Sequence, residues 1–183
     1  HNKTFEKGLY SIGKFLHFNK IQIKKAINNM IVERNKREHK RILENNNKLI
    51  SPKKKILIVS HPYNMYDNYT GRRIISYLSK LNFEILYCDC FEKEIVNNLS
   101  KYLSYDLYFK YSKENIGSIV LSNEFIDGIV FISSFPCGID ILVNELIMRK
   151  INKPYLNLVI DDLDDFTGIE TRLESFADII EQS

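Results

Sequence analysis

The chain has 183 residues, 44% hydrophobic, 12% aromatic and 27% charged, a composition that supports a buried core and excludes disordered, collagen-like and disulfide-stapled classes. Cys88, Cys90 and Cys137 make no even framework of the secreted kind. Apolar runs such as Ile129 to Ile132 are far too short to span a bilayer, so a soluble protein of a reducing, cytoplasmic compartment with no membrane partner is expected. The net charge of +3 hides an asymmetry, since residues 1 to 55 hold 15 Lys/Arg against 4 Asp/Glu and residues 56 to 183 hold 11 against 19.

In chain order, residues 1 to 19 read as a short helix and a turn, broken by Gly8 and Gly13. The first residue is His1 and no Met precedes Met30, which reads as a piece of a longer chain. Residues 20 to 48 read as one long basic helix ending in Asn45-Asn46-Asn47. Ile23, Ile27, Met30 and Ile31 recur at helical spacing, so this arm is expected to dock on an apolar surface. It lacks zinc-finger spacing and stacking aromatics, so no nucleic acid is expected as a partner. Ser51-Pro52 marks a boundary. It separates an N-terminal helical segment, 1–52, from an α/β domain, 53–183.

From Lys55, β-branched runs alternate with amphipathic stretches. Strands are predicted at 56–59, 84–87, 128–133 and 154–160, and helices at 67–81, 92–103, most of 105–122, 139–150 and 169–181. This alternation predicts a Rossmann-like parallel sheet with helices on both faces, preceded by the long basic helix. In such sheets, ligands bind outside the carboxyl ends of the strands. His61-Pro62-Tyr63-Asn64, Cys88-Asp89-Cys90, Ser133 through Gly138, and Asp161-Asp162 all fall at those ends.

Cys137 is placed where the third strand gives way to a helix, with Gly138 relieving the turn and Asp140 in the first helical turn. Free amides and the helix dipole stabilise a thiolate there. The residue is thus a candidate metal ligand, cluster ligand or nucleophile, or else a small buried hydrophobe at a tight turn. His61 is a candidate general base, while Tyr63 and Asn64 have the character of binding groups. Cys88 and Cys90, two apart on a predicted strand, share a face and make an incomplete metal pair or two plain core thiols. Asp161, Asp162, Asp164 and Asp165 can hold a hard cation or cap the last helix. Thr171 and Arg172 can contact an anion, unless Glu174 pairs with Arg172. No Walker loop, dinucleotide glycine fingerprint, His-Glu-x-x-His or nucleophile elbow is present.

Taken together, four ordered segments carry a resemblance. Ser60 through Asp67 resembles the G-H-P-Y-N-x-Y-D signature of the acyl-CoA dehydratase activase-related proteins, relatives of the 2-hydroxyacyl-CoA dehydratase iron-sulfur components. Leu107-Tyr108 through Lys113-Glu114 resembles their L-Y-W-T-F-G-K-E segment. Ser134 through Asp140 is similar to S-F-x-C-G-P-D, and Gly168 with Thr171 through Phe176 to G-x-x-T-R-L-E-A-F. The resemblance implies a [4Fe-4S] cluster in the full-length protein, with Cys137 as one metal ligand, a CoA thioester as the ligand class, and an actin-fold ATPase as activator domain or subunit. Within it, Cys137, Gly138, Asp140, Tyr63, Asn64, Thr171 and Arg172 are the candidate cofactor-binding residues and His61 the candidate catalytic one. The sequence departs from the family at Ile139 and Ile141, and in lacking a His in the Asp161 to Gly168 stretch. The alternative is a non-catalytic CoA- or nucleotide-binding or docking module.

Overall fold

A computed structural model describes residues 2–102, 109–135, 137–161 and 166–182. The chain forms two compact units, His1–Leu43 and Glu44–Ser183.

In the first unit, α1 (Asn2–Phe15) runs straight through Gly8 and Gly13, longer than the predicted short helix. His17 takes a left-handed conformation, φ 62°, which ends the helix and turns the chain. Then α2 (Lys20–Leu49) begins at a capping box. Asn19 Oδ1 accepts the amides of Ile21 and Gln22, and Gln22 Oε1 accepts the amide of Asn19. A Cβ added at Gly13 would lie 2.7 Å from Ile23 Cγ1, so this glycine lets the two helices approach.

The second unit holds a four-stranded, all-parallel sheet of β1 (Lys55–Ser60), β2 (Glu84–Tyr87), β3 (Gly128–Ser134) and β4 (Tyr155–Ile160), in the order β2-β1-β3-β4. Register pairs Leu57 with Leu86 and with Ile129, and Phe131 with Asn157. The connecting helices are α3 (Pro62–Met65), α4 (Gly71–Lys80), α5 (Lys93–Leu99), α6 (Lys110–Ser122), α7 (Gly138–Met148) and α8 (Phe166–Glu181). A short 3-10 turn, Ser100–Tyr102, follows α5. One layer is formed by α4 packed on α8, and the other by α6 with α5 and α7. Ile56, Leu57 and Ile58 on β1, and Ile129 through Phe131 on β3, are fully enclosed between the layers. That double burial explains why these strands read as unbroken apolar runs.

Several expectations are corrected. The helix predicted over 67–81 starts later, at Gly71, because the Asp67 carboxylate accepts the amides of Tyr69 and Thr70 in a turn that delays α4, and a separate short helix that Pro62 starts, α3, precedes it. The helix predicted over 92–103 stops at Leu99. Cys88 and Cys90 are in the turn after β2 rather than on a strand, since pairing with β1 ends at Tyr87. The Asn45-Asn46-Asn47 run lies inside α2 instead of ending it. Gly138 is the first residue of α7 with no heavy atom near its missing Cβ and no positive φ, so it relieves no turn. The predicted helical start at 105 and the Leu107-Tyr108 segment lie outside the described residues.

Candidate functional site at the β1 and β3 strand ends

From β1 the chain steps outward to β2, then crosses back over β1 to β3. The reversal makes a crevice between the carboxyl ends of β1 and β3, the place where open α/β sheets bind ligands. His61 leaves β1 in an extended conformation, as the residue before a proline must, and becomes the N-cap of α3. Its carbonyl accepts the amides of Asn64 and Met65.

Across the crevice, β3 ends at Ser134, and Cys137 is the N-cap of α7, its amide donating to the Ser134 carbonyl at 2.8 Å. Asp140 therefore occupies the first turn of α7, where the helix dipole favours a carboxylate. It meets His61: Asp140 Oδ1 lies 2.9 Å from His61 Nε2, with both side chains mostly buried. The tautomer carrying its proton on Nε2 donates to Asp140 and leaves Nδ1 as an acceptor. The His61 ring stacks on Tyr63 at 5.2 Å and takes the edge of Tyr111 at 4.8 Å. Burial holds the Tyr63 phenol above its usual range; the Asp140 carboxylate and the Cys137 sulfur add to this, and the Asn64 amide opposes it. His61, Tyr63, Cys137 and Asp140 thus form one cluster. The half-buried Cys137 is the most accessible of the three thiols.

Asn64 belongs to the same crevice but opens toward α4 and α8. Its Oδ1 accepts the Ser134 hydroxyl, while Nδ2 is buried without a hydrogen bond of ordinary geometry. Beneath, Ser60 Oγ donates to the Ile132 carbonyl and Asn144 Nδ2 to Ser133 Oγ, tying β1 to β3 and β3 to α7. A cleft of about 540 Å³ opens beside Asn64 and Ser134. Its walls include Thr70 and Arg73 of the β1–α4 segment, Asp161, and Phe166 and Glu170 of α8.

Thr171 and Arg172 do not join these groups. The Thr171 hydroxyl donates to the Thr167 carbonyl, and Arg172 Nη2 donates to the Asn157 carbonyl on β4 at 2.6 Å. Glu174 accepts the Tyr77 hydroxyl rather than pairing with Arg172, which pushes that phenol up to about 12. Asp162, Asp164, Asp165 and Pro136 lie outside the described residues. Tyr111, Ser134 and Arg73 are site residues that sequence reasoning missed. Ser134 adjoins Cys137 in a run already singled out, and that proximity was the available signal.

Cys88 is enclosed and donates to the Asn115 side chain at 3.2 Å, and burial, then the Asp89 charge, pushes its thiol well above the ordinary range. Cys90 is also buried. Among the described residues no group of three His, Cys, Asp or Glu side chains can hold a metal ion. A [4Fe-4S] cluster takes four cysteine thiolates. Cys137 fits as one ligand, and these residues do not complete the set.

Fold and crevice define a parallel α/β domain with a crevice at its topological switch point. Residues 1–91 match the family described as CoA enzyme activase uncharacterised domain, and the chain belongs to this acyl-CoA dehydratase activase-related family. The matched segment includes His61, Tyr63 and Asn64 and ends before Cys137 and Asp140. No curated protein matches the chain. No helix among the described residues is long and apolar enough to cross a membrane.

Proposed function

We propose that this chain is a lobe of an iron-sulfur protein related to the 2-hydroxyacyl-CoA dehydratases and their activators, taking part in ATP-driven low-potential electron transfer or in acyl-CoA dehydration. The observation that carries the reading is Cys137 at the N-cap of α7, beside the His61–Asp140 pair and above the switch point. Cys137 would supply one cluster ligand, with the remaining ligands coming from outside this chain. The cluster, when bound, supplies one-electron chemistry. This chain's residues do the positioning: Asp140 fixes the His61 ring, and Tyr63 and Tyr111 shield that ring and limit water at the pair. An actin-fold ATPase domain or subunit is the partner this reading calls for, and a CoA thioester the ligand class.

The test is iron and acid-labile sulfide in anaerobically purified full-length protein, wild type beside Cys137→Ser. Iron and sulfide present in wild type and lost in the variant are expected. Wild-type protein without either after reconstitution would sink the cluster reading. A second reading, a non-catalytic CoA- or nucleotide-binding module, is favoured by one observation: the buried Asn64 amide, whose Nδ2 has no hydrogen bond of ordinary geometry, beside a cleft.

A further inference from the structure

The geometry points to an oxyanion subsite in the cleft between α4 and α8, in which a phosphate or carboxylate oxygen accepts from Asn64 Nδ2 and the charge is balanced by Arg73. The inference deepens the second reading above and is independent of Cys137.

Its first support is Asn64 itself. The residue is only 7% exposed, lines the cleft, and has one amide end committed to Ser134, while Nδ2 has no hydrogen bond of ordinary geometry and only a weak one with the Tyr63 phenol. A buried donor left unpaired is costly, and in native proteins such a group calls for an explanation. An acceptor oxygen supplied by a ligand removes that cost.

The second support is the start of α4, a helix of 10 residues whose N-cap is Thr70. The Thr70 hydroxyl turns back to the Asp67 carboxylate, so no side chain caps the helix. The Thr70 and Arg72 amides are taken by the Asp67 carboxylate and carbonyl, which leaves the amides of Gly71 and Arg73 in the first turn, with the positive end of the dipole, for an anion. Gly71 is required at this spot, because a Cβ would lie 2.1 Å from the Asn64 carbonyl oxygen. The same close approach draws Asn64 up against the helix start.

The third support is charge. Arg73 lies over the Phe166 ring at 3.7 Å, which fixes the guanidinium at the cleft wall. A neighbouring hollow of about 300 Å³ shares Arg73 and adds Arg72 and Lys80. Asp161, just after β4, and Glu170 of α8 line the cleft and repel an anion placed against them. The ligand is therefore an oxyanion carried on a body with hydroxyl or amide N–H groups, its anionic end toward Asn64 and Arg73 and its donors toward Glu170.

The test is calorimetric titration of the whole chain with inorganic phosphate and, separately, with acetate at matched ionic strength. Saturable binding of at least one is expected; phosphate alone marks a phosphorylated ligand, and acetate alone a carboxylic acid. Asn64→Asp keeps the acceptor for Ser134 but replaces the donor by negative charge, and Arg73→Gln removes the exposed counter-charge. Each is expected to weaken binding roughly tenfold or more. Glu170→Gln is expected to tighten it, and loss of binding in that variant would overturn the charge assignment. Absence of saturable binding to either anion, or undiminished binding in Arg73→Gln, overturns the proposal. If Asn64→Asp fails to fold by circular dichroism, Arg73→Gln decides. Iron content does not enter this test, so failure here and failure of the cluster reading are separate results.

Discussion

Asn45 satisfies both backbone groups of Tyr87: its Oδ1 accepts the Tyr87 amide at 2.9 Å and its Nδ2 donates to the Tyr87 carbonyl at 3.3 Å. Tyr87 ends β2, an edge strand, and the Ile85 carbonyl on the same strand accepts from Lys48 Nζ at 2.8 Å. The last turns of α2 thus cover an edge that would otherwise offer free pairing groups. Asn45 is 2% exposed, so Asn45→Leu would take away the side-chain acceptor of the Tyr87 amide, while the carbonyl keeps the Cys90 amide at 3.1 Å, at a cost of about 1–3 kcal/mol. Urea denaturation should show a lower midpoint at an unchanged slope; an unchanged midpoint would mean that water replaces the pairing.

The thiols should separate by reactivity. Burial keeps the Cys88 thiol protonated well above neutral pH, whereas Cys137 is half-buried at a helix start. The thiolate is the reactive species. A short iodoacetamide pulse at about pH 8 should therefore modify Cys137 first and leave Cys88 untouched until denaturant is added. Mass spectrometry of digested protein reads this directly, and equal labelling of the two would contradict the burial of Cys88.

Two glycines at the site have opposite tolerances. At Gly71 a Cβ would lie 2.1 Å from the Asn64 carbonyl oxygen and 2.5 Å from that of Met65. These are backbone atoms that cannot swing aside, so Gly71→Ala is expected to cost on the order of 2 kcal/mol or more. At Gly138 no heavy atom lies within 4 Å, and alanine is the better helix former by up to about 1 kcal/mol, so Gly138→Ala should be neutral or stabilising. Thermal midpoints of the two variants decide the matter.

The fold was legible because double burial writes itself into the strands as unbroken Ile, Leu and Val runs, and the strand-end rule then located His61, Asn64, Cys137 and Asp140. What escaped depends on tertiary partners. Arg172 looks like an anion ligand until its guanidinium is seen on the Asn157 carbonyl, and nothing local announces that bond. Tyr111 and Arg73 reach the site only through the face their helices present. The late start of α4 was hidden for a different reason. Asp67 gathers backbone amides two and three residues on, a local competition with helix formation that apolar periodicity does not register.

Those same bonds make Asp67 a pH-dependent element. The amides of Tyr69 and Thr70 hold its carboxyl below the usual carboxylate range. A group whose folded-state pKa is depressed contributes stability above its unfolded-state pKa, and the contribution is lost as pH falls through the folded value. Asp67→Asn should therefore lower the thermal midpoint at about pH 7, with the gap to wild type closing toward about pH 2. A gap that persists in acid would mean the turn depends on shape rather than charge.

The bonds that join the two sides of the crevice span long stretches of chain: His61 reaches Asp140 across 79 positions, Ser60 reaches Ile132 across 72, and Asn64 reaches Ser134 across 70. The excursion through β2, α5 and α6 lies between them, and its loop-closure entropy comes before any of these contacts can form. The family-matched segment ends at Phe91, ahead of β3, so a nascent chain of that length holds His61 with no carboxylate to meet it. Docking of β3 is thus the step at which the crevice comes into being. Any change that slows that docking, even one remote from His61, prolongs the interval in which a folding intermediate has strands but no site.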